Sequence, residues 1–412
     1  MAKEYSPFTP GSPVMSLFFV GREKEVDYIS DAIGKSIAQN TIERLFVEGI
    51  RGIGKSSLCS YAMAKVEKEQ NVLVVNASLG GVHTLNGFVR HIFDAIVQIQ
   101  GSSKWYVPII SLFKDHVESV DIFGVNVRLK ASDEQIETMV SDFPNVLRGL
   151  FNKIPEESRP DGIVFVLDDI NGLASDRAFA EWFKSVSDRI AIDNGKGARM
   201  PVTFIFIGIP ERRQSMIESQ PSLDRVFDLV RLGVVSQGEA GKFFAKTFES
   251  VNVKIEQDAI DMLVNNAQGY PVFMHEIGDA VFKADEDGLI DAADAAKGVF
   301  AAIRIIGDKY IEPVVLHAVS SDNYRRLLSH LATYWRQYPD DMGRIKRANI
   351  AKTLQEQTSV HKSLDNFLKK MVSLGVIHRV QGISSGTYEF SNYLYALYFA
   401  LFMQNSNKVV SE

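Results

Sequence analysis

Residues 47–58 read VEGIRGIGKSSL, and within them Gly49, Gly54, Lys55 and Ser56 satisfy the spacing G-x-x-x-x-G-K-[ST]. The stretch lies between an apolar run, RLFVEG, and a helical run, GKSSLCSYAMAKVEK. Glycines at this spacing let consecutive backbone N–H groups turn inward on phosphate oxygens, and a helix starting near Lys55 aims its positive end at the same charge. A strand must deliver such a loop and a helix must leave it. The chain is therefore expected to build an ATP cradle from Gly49, Gly52, Ile53, Gly54 and Ser57, with Lys55 on the terminal phosphates and Ser56 on Mg²⁺.

Four further apolar runs supply the alternation this loop needs: NVLVVNAS, GIVFVLDDIN, PVTFIFIGIP and VFDLVRLG, separated by stretches with helical spacing. Continuous Val, Ile and Phe runs suit a parallel sheet with helices on both faces, the α/β class. A chain of 412 residues is too long for one ordinary core. Residues 1–20 read as an irregular arm leading to a helix from about Glu23 to Lys35, and 21–233 as the P-loop domain. Within the latter, 101–132 break the pattern as a hairpin-like insertion. Residues 234–315 take helical spacing throughout, a small lid, and 316–412 place three helical runs before two alternating segments around GISSG, the layout of a winged helix-turn-helix.

A phosphate loop needs a carboxylate at the end of another buried strand, because Mg²⁺ is held through it or through its water shell. In IVFVLDDIN the apolar residues run straight into Asp168 and Asp169, so both emerge at the carboxyl edge of the sheet, where ligands bind in such folds. Asp168 is the metal-side candidate, and Asp169 the candidate for orienting water. No apolar run approaches the roughly 18 residues of a membrane helix. The N-terminal MAKEYSPFTPGSP lacks the layout of a secretion signal, and the single cysteine, Cys59, excludes an internal disulfide. A cytoplasmic protein without membrane partners is expected, with Cys59 a small buried thiol on the helix after the loop.

Gly49 to Ser56, the LDD strand end, the box FVGREKE and GYPVF at 269–273 together resemble the STAND and AAA+ branch of P-loop ATPases. More narrowly, they are similar to archaeal-type ATPases and the origin-recognition replication initiators, over about residues 18–285, and the winged helix extends the likeness to the C-terminus. The resemblance implies a Mg-dependent ATPase with Gly21, Arg22 and Pro271 in its nucleotide pocket; Pro271 also suits a first helical position, and both readings can hold. It also implies that Arg225, just before the last strand, is a catalytic arginine offered to a neighbouring subunit of a homo-oligomer. A surface arginine paired with Asp224 or Asp228 is the other reading. Departures from the family pattern bear on turnover. Asp169 stands where most AAA+ enzymes have Glu, as in STAND switches, which implies slow hydrolysis. Gly208 occupies the place of a polar γ-phosphate sensor, while Arg212 and Arg213 either serve instead or begin a solvated helix. His275 stands where replication initiators keep a second sensor arginine.

The net charge of −6 argues against a nucleic-acid partner for the chain as a whole, but the charge is segregated. Between Arg344 and Gln381 eight Lys or Arg stand against two acids, Glu356 and Asp365. NIAKTLQEQT is the expected first helix of the turn pair and SVHKSLDNFLKKMVSLGVI the recognition helix, capped by Ser359. Val360, Leu364, Phe367, Leu368 and Met371 make its buried stripe, which leaves His361, Lys362, Asn366, Lys369 and Lys370 to face double-stranded DNA. Two functions stay open: a nucleotide-controlled switch or assembly factor that binds DNA, and a STAND-type signalling or defence ATPase that recruits a protein partner without DNA contact.

Overall fold

The computed structural model describes residues 5–11, 19–98, 132–316, 321–337, 344–354, 358–380 and 386–402. The expected insertion at 101–132 lies outside them apart from Ser132. The chain divides into two compact units, Pro13–Gly233 and a second formed by Met1–Ser12 with Val234–Glu412.

The first unit opens with α1 (Glu23–Gln39), one turn longer than expected because its chain stays helical until Asn40 adopts the left-handed conformation. There follow β1 (Ile42–Glu48), α2 (Lys55–Glu69), β2 (Val72–Ser78), α3 (Leu85–Val97), α4 (Asp133–Ser141), α5 (Phe143–Lys153), β3 (Gly162–Asp168), α6 (Arg177–Gly195), β4 (Val202–Gly208), α7 (Pro210–Ser219) and β5 (Asp228–Arg231). The five strands are all parallel, in the order β2-β3-β4-β1-β5. That order carries the chain from β1 over β4 and β3 to β2 and later back to the other edge, so the end of β1 lies inside the sheet.

Alternation along each strand divides the core in two. Phe46, Phe165, Phe204 and Phe206 point to the face covered by α3, α5 and α6, where Phe165 and Phe204 stack at 5.0 Å and Phe183 meets Phe206 edge-on at 4.8 Å. Leu45, Val47, Ile205 and Ile207 fill the opposite face, against which α1 and α2 pack. Each buried phenyl contributes about 2–3 kcal/mol of transfer free energy. The ligand edge thus rests on two packed layers.

In the second unit α8 (Gln237–Glu249), α9 (Gln257–Ala267), α10 (Pro271–Ala284) and α11 (Ala292–Ile306) form a helical group, continued by a π-helix over Gly307–Leu316. The stretch is not wholly helical as expected: β6 (Lys254–Ile255) and β7 (Leu289–Ile290) pair in parallel between the helices. Phe8 of the N-terminal arm is a core residue here, with its ring 4.9 Å from Phe248 and 5.9 Å from Phe243. Further along come α12 (Asp322–Gln337), β8 (Arg344–Lys346), α13 (Arg347–Thr353), α14 (Thr358–Ser373), β9 (Ile377–Arg379), β10 (Thr387–Phe390) and α15 (Tyr393–Phe402). The strands form an antiparallel sheet ordered β8-β10-β9, one strand more than the two read from the sequence. Ser359 is not the cap of α14, because that helix already includes Thr358. The aromatic α15 buries Leu394, Tyr398 and Phe399, as a helix packed into its own unit does.

Candidate functional site: a phosphate loop and its acidic partner

The loop leaves β1 at Glu48 and enters α2 at Lys55. Gly52 and Gly54 have φ of 77° and 93°, a region open to glycine at no steric cost, and Gly54 is the N-cap of α2. No side chain caps that helix, so its first N–H groups remain directed at the loop. Gly49 lies against β5: a Cβ there would meet Ile53 Cγ2 at 2.9 Å and the Leu232 carbonyl oxygen at 3.0 Å. Ile53 and Ser57 are buried beneath the loop. Lys55 Nζ donates to the carbonyls of Gly49 at 2.8 Å and Ile50 at 2.9 Å, and so closes the loop around itself. Burial pushes the Lys55 ammonium below its ordinary pKa; Asp168 and Asp169 oppose that shift, and Arg51 adds to it.

Ser56 Oγ donates to Asp168 Oδ2 at 2.6 Å. Residues 112 apart in sequence thus meet where α2 begins and β3 ends. A hydroxyl beside a carboxylate is the hard-oxygen pair Mg²⁺ uses when phosphates and water complete its octahedron, so the donor set fits that ion. Asp169 follows in the left-handed region, φ 58° and ψ 56°, which Asp tolerates better than most residues. Its N–H donates to Asp168 Oδ1 at 2.8 Å. The Asp169 carboxylate accepts from the Asn171 amide, and Arg212 Nε in turn donates to Asn171 Oδ1 at 3.2 Å. Sequence reading missed Asn171, although its place two residues past the second aspartate was the available signal.

Arg213 and Arg212 differ in their surroundings. Arg213 Nε lies 2.8 Å from Glu48 Oε2, Arg231 Nε lies 2.8 Å from Glu48 Oε1, and Arg213 also reaches Asp224 at 3.4 Å. Burial pushes the Glu48 carboxyl upward, but the hydrogen bonds from Arg213 and Arg231 outweigh it and hold the group below its ordinary pKa. Neither arginine begins a merely solvated helix. Gly208 is buried, and a Cβ on it would stand 3.2 Å from Phe46 and 3.3 Å from Ile170, so a polar sensor has little room at that strand end.

Arg225 ends a short 3-10 turn before the edge strand β5 and is exposed. The pairings expected of it do not form: Asp224 goes to Arg213, and among the described residues no partner contacts Arg225. Gly21 has φ 73°, and the buried Arg22 beside it donates to the Gly233 carbonyl and lies 3.5 Å from Glu25. Arg22 therefore ties the start of α1 to the end of its own unit. Cys59 is buried and its thiol is pushed up by desolvation, as an inert core group would be.

In the second unit Pro271 is a first-turn residue of α10. His275 is buried, accepts the Thr9 N–H on Nδ1 at 3.1 Å, and is held down to a pKa of about 4 by desolvation. Along α14, Leu364, Phe367, Leu368 and Met371 are buried, Asn366 and Lys369 exposed, and Lys370 half-buried. The side chains of Val360, His361 and Lys362 lie outside those described. Two of the basic residues are neutralised: Arg347 grips Asp365 through two bonds of 2.6 and 2.8 Å, and Arg344 lies 3.6 Å from Glu389.

No helix among the described residues is long and apolar enough to cross a membrane. No curated protein matches the sequence significantly. Residues 19–188 match the family model of the AAA ATPase domain. Among solved structures the fold is similar to the Walker-type ATPase of Pyrococcus abyssi, at 14% identity over 92% of this chain and 95% of that one, TM-score 0.57. It is likewise similar to the ORC2 protein of Aeropyrum pernix in its ADPNP-ADP complexes, at 12% identity over 100% and 98% of the two chains, TM-score 0.56. The ADP form of that protein gives 12% identity over 99% and 97%, TM-score 0.51. Residues 19–188 thus carry the match to an AAA ATPase domain, and the chain shares its fold with these solved structures.

Proposed function

We propose that this protein is a cytoplasmic Mg·ATP-binding switch or assembly factor that hydrolyses ATP slowly and contacts double-stranded DNA through a C-terminal winged helix. The observation that carries the ATP reading is the 2.6 Å contact of Ser56 with Asp168, at the foot of an uncapped helix and beside the lysine-closed loop. In this reading Gly49, Gly52, Ile53, Gly54 and Ser57 shape the cradle, Lys55 exchanges its two carbonyl partners for phosphate oxygens, and Gly21, Arg22 and Pro271 serve the nucleotide. Mg²⁺ bound at Ser56 and Asp168 would neutralise charge on the phosphates. Asp169 orients the attacking water, and its short carboxylate makes that step slow. Arg225, without a partner among the described residues, acts on the site of a neighbouring copy in an oligomer.

The DNA reading is supported by the packing of β8, β10 and β9 beside α13 and α14, with the exposed Lys369 on the outer side of α14. The second reading, a STAND-type signalling or defence ATPase that recruits a protein, has its own support. Arg344 and Arg347 spend charge on Glu389 and Asp365, and the Gly208 position leaves the usual sensor out. Titrating ATP-loaded protein with duplex DNA across a salt series separates the two. Phosphate-driven binding weakens steeply with salt, whereas no binding at about 50 mM salt would leave the recruiting ATPase.

A further inference from the structure

We infer that α8 and α10 of the second unit form a peptide-binding pocket for an extended Pro-Phe-x-Pro segment, filled by the chain's own N-terminal arm until a partner protein of the same chemistry displaces it. The inference does not depend on the ATPase reading. Its basis is how the arm is held. Phe8 is buried, whereas Ser6, Pro7, Thr9 and Pro10 around it are half-buried and Tyr5 and Gly11 exposed. Among the described residues one hydrogen bond joins the arm to the helices, from the Thr9 N–H to His275 Nδ1 at 3.1 Å. The arm's other bond is internal, from the Phe8 N–H to Ser6 Oγ at 3.3 Å. One ring and one N–H are the grip of a docked ligand, not of a strand or helix built into the core.

The pocket is built for that ring. Phe243 and Phe248 of α8 meet Phe8 edge-on at 5.9 and 4.9 Å, and the His275 ring of α10 stands edge-on at 6.1 Å. Gly278 lies one turn beyond His275 on the same face of α10, and a Cβ there would collide with the Phe8 ring. Helix interiors disfavour glycine, and here the missing side chain makes the notch. His275 is 4% exposed and has no other hydrogen-bond partner among the described residues, so an empty pocket would leave a buried acceptor unmet. The pocket therefore reads a phenyl ring and the backbone N–H of the next residue. The Thr9 hydroxyl has no partner among the described residues, which leaves that side chain free to vary. Pro7 fixes its own φ and Pro10 holds Thr9 extended, so a segment of this pattern loses little freedom on docking.

The test uses full chains and a labelled peptide of residues 3–13, KEYSPFTPGSP. Phe8→Ala vacates the pocket and should bind the peptide saturably, with a dissociation constant of about 0.1–1 mM, and regain slow hydrogen exchange in α8 and α10. Wild type should bind about tenfold more weakly, because its tethered arm competes at millimolar effective concentration. Adding Gly278→Ala to Phe8→Ala, or replacing the peptide's phenylalanine by alanine, should abolish binding. Should Phe8→Ala not fold, Thr9→Pro keeps the phenyl, removes the N–H, and should bind the peptide more tightly than wild type does. No saturable binding to either variant up to about 5 mM, or equal binding to wild type and the Gly278→Ala double variant, overturns the pocket. Gly278→Ala protein carries the arm without the notch. If it protects α8 and α10 of Phe8→Ala at micromolar concentration, where free peptide does not, the occupant is a second copy and the partner reading falls.

Discussion

Replacing Phe8 with Ala should loosen the second unit. The ring is 3% exposed, lies 4.9, 5.9 and 6.3 Å from Phe248, Phe243 and Phe244, and fills the space over Gly278, where a Cβ would stand 2.2 Å from it. Truncating a phenyl so enclosed costs about 3–5 kcal/mol, and even the lower figure accelerates local opening more than about a hundredfold. Hydrogen exchange of the amides in α8 and α10 reads this directly, with the amides of β3 and β4 in the first unit as the control. The same pocket holds His275, whose folded pKa of about 4 lies below the ordinary 6.5. A depressed histidine pKa means that the unfolded state binds the extra proton. The stabilisation is complete above about pH 6.5 and is lost as pH falls toward 4, on the order of 3 kcal/mol at most. Phe8→Ala admits water to His275 and should flatten that pH dependence. Wild-type protection in Phe8→Ala, with the same loss between pH 6.5 and 4, would refute the arm as part of this core.

Four further outcomes follow from the site. Lys55→Ala should abolish measurable Mg·ATP binding in calorimetry, and unchanged affinity would remove the loop assignment. Asp169→Asn should retain bound ATP without turnover, checked by single-turnover hydrolysis. Ala at Lys362, Lys369 and Lys370 together should weaken DNA binding at every sequence and flatten the log–log salt slope by about 2.7, at about 0.9 per phosphate contact. Arg225→Ala should bind ATP without hydrolysing it, and mixing it with Lys55→Ala should restore part of the activity; a mixture that stays inactive beside active wild type rules out action in trans.

The phosphate loop and the paired aspartates were legible in the sequence because their geometry is local. Two glycines at fixed spacing, a lysine six residues after the first, and apolar runs on either side determine where the backbone turns and which edge it faces. The central strands β1, β3 and β4 were legible for a related reason: a strand covered on both faces has no solvent side to interrupt its apolar run. What stayed hidden depends on partners far away in the chain. Phe8 and Thr9 meet His275 across 266 residues, and nothing in SPFTP marks the phenyl as a core group. The two-residue strands β6 and β7 and the three-residue β8 are too short to show alternation at all.

Glu48 shows a signal that was present but unused. A carboxylate closing the run RLFVE sits where water is excluded, so it must find cations, and Arg213 and Arg231 arrive from 165 and 183 residues away. That commitment separates two adjacent arginines that sequence alone leaves equivalent. Taking Arg213 to a phosphate would leave Glu48, only 5% exposed, with Arg231 as its remaining cation and a charge-assisted hydrogen bond of about 1.5–3 kcal/mol forfeited. Taking Arg212 away forfeits one hydrogen bond to a neutral amide at a half-buried position, about 1 kcal/mol. On the proposed ATPase reading, with Gly208 closed off by Phe46 and Ile170, Arg212 is the neighbouring arginine that can leave its present partner at least cost.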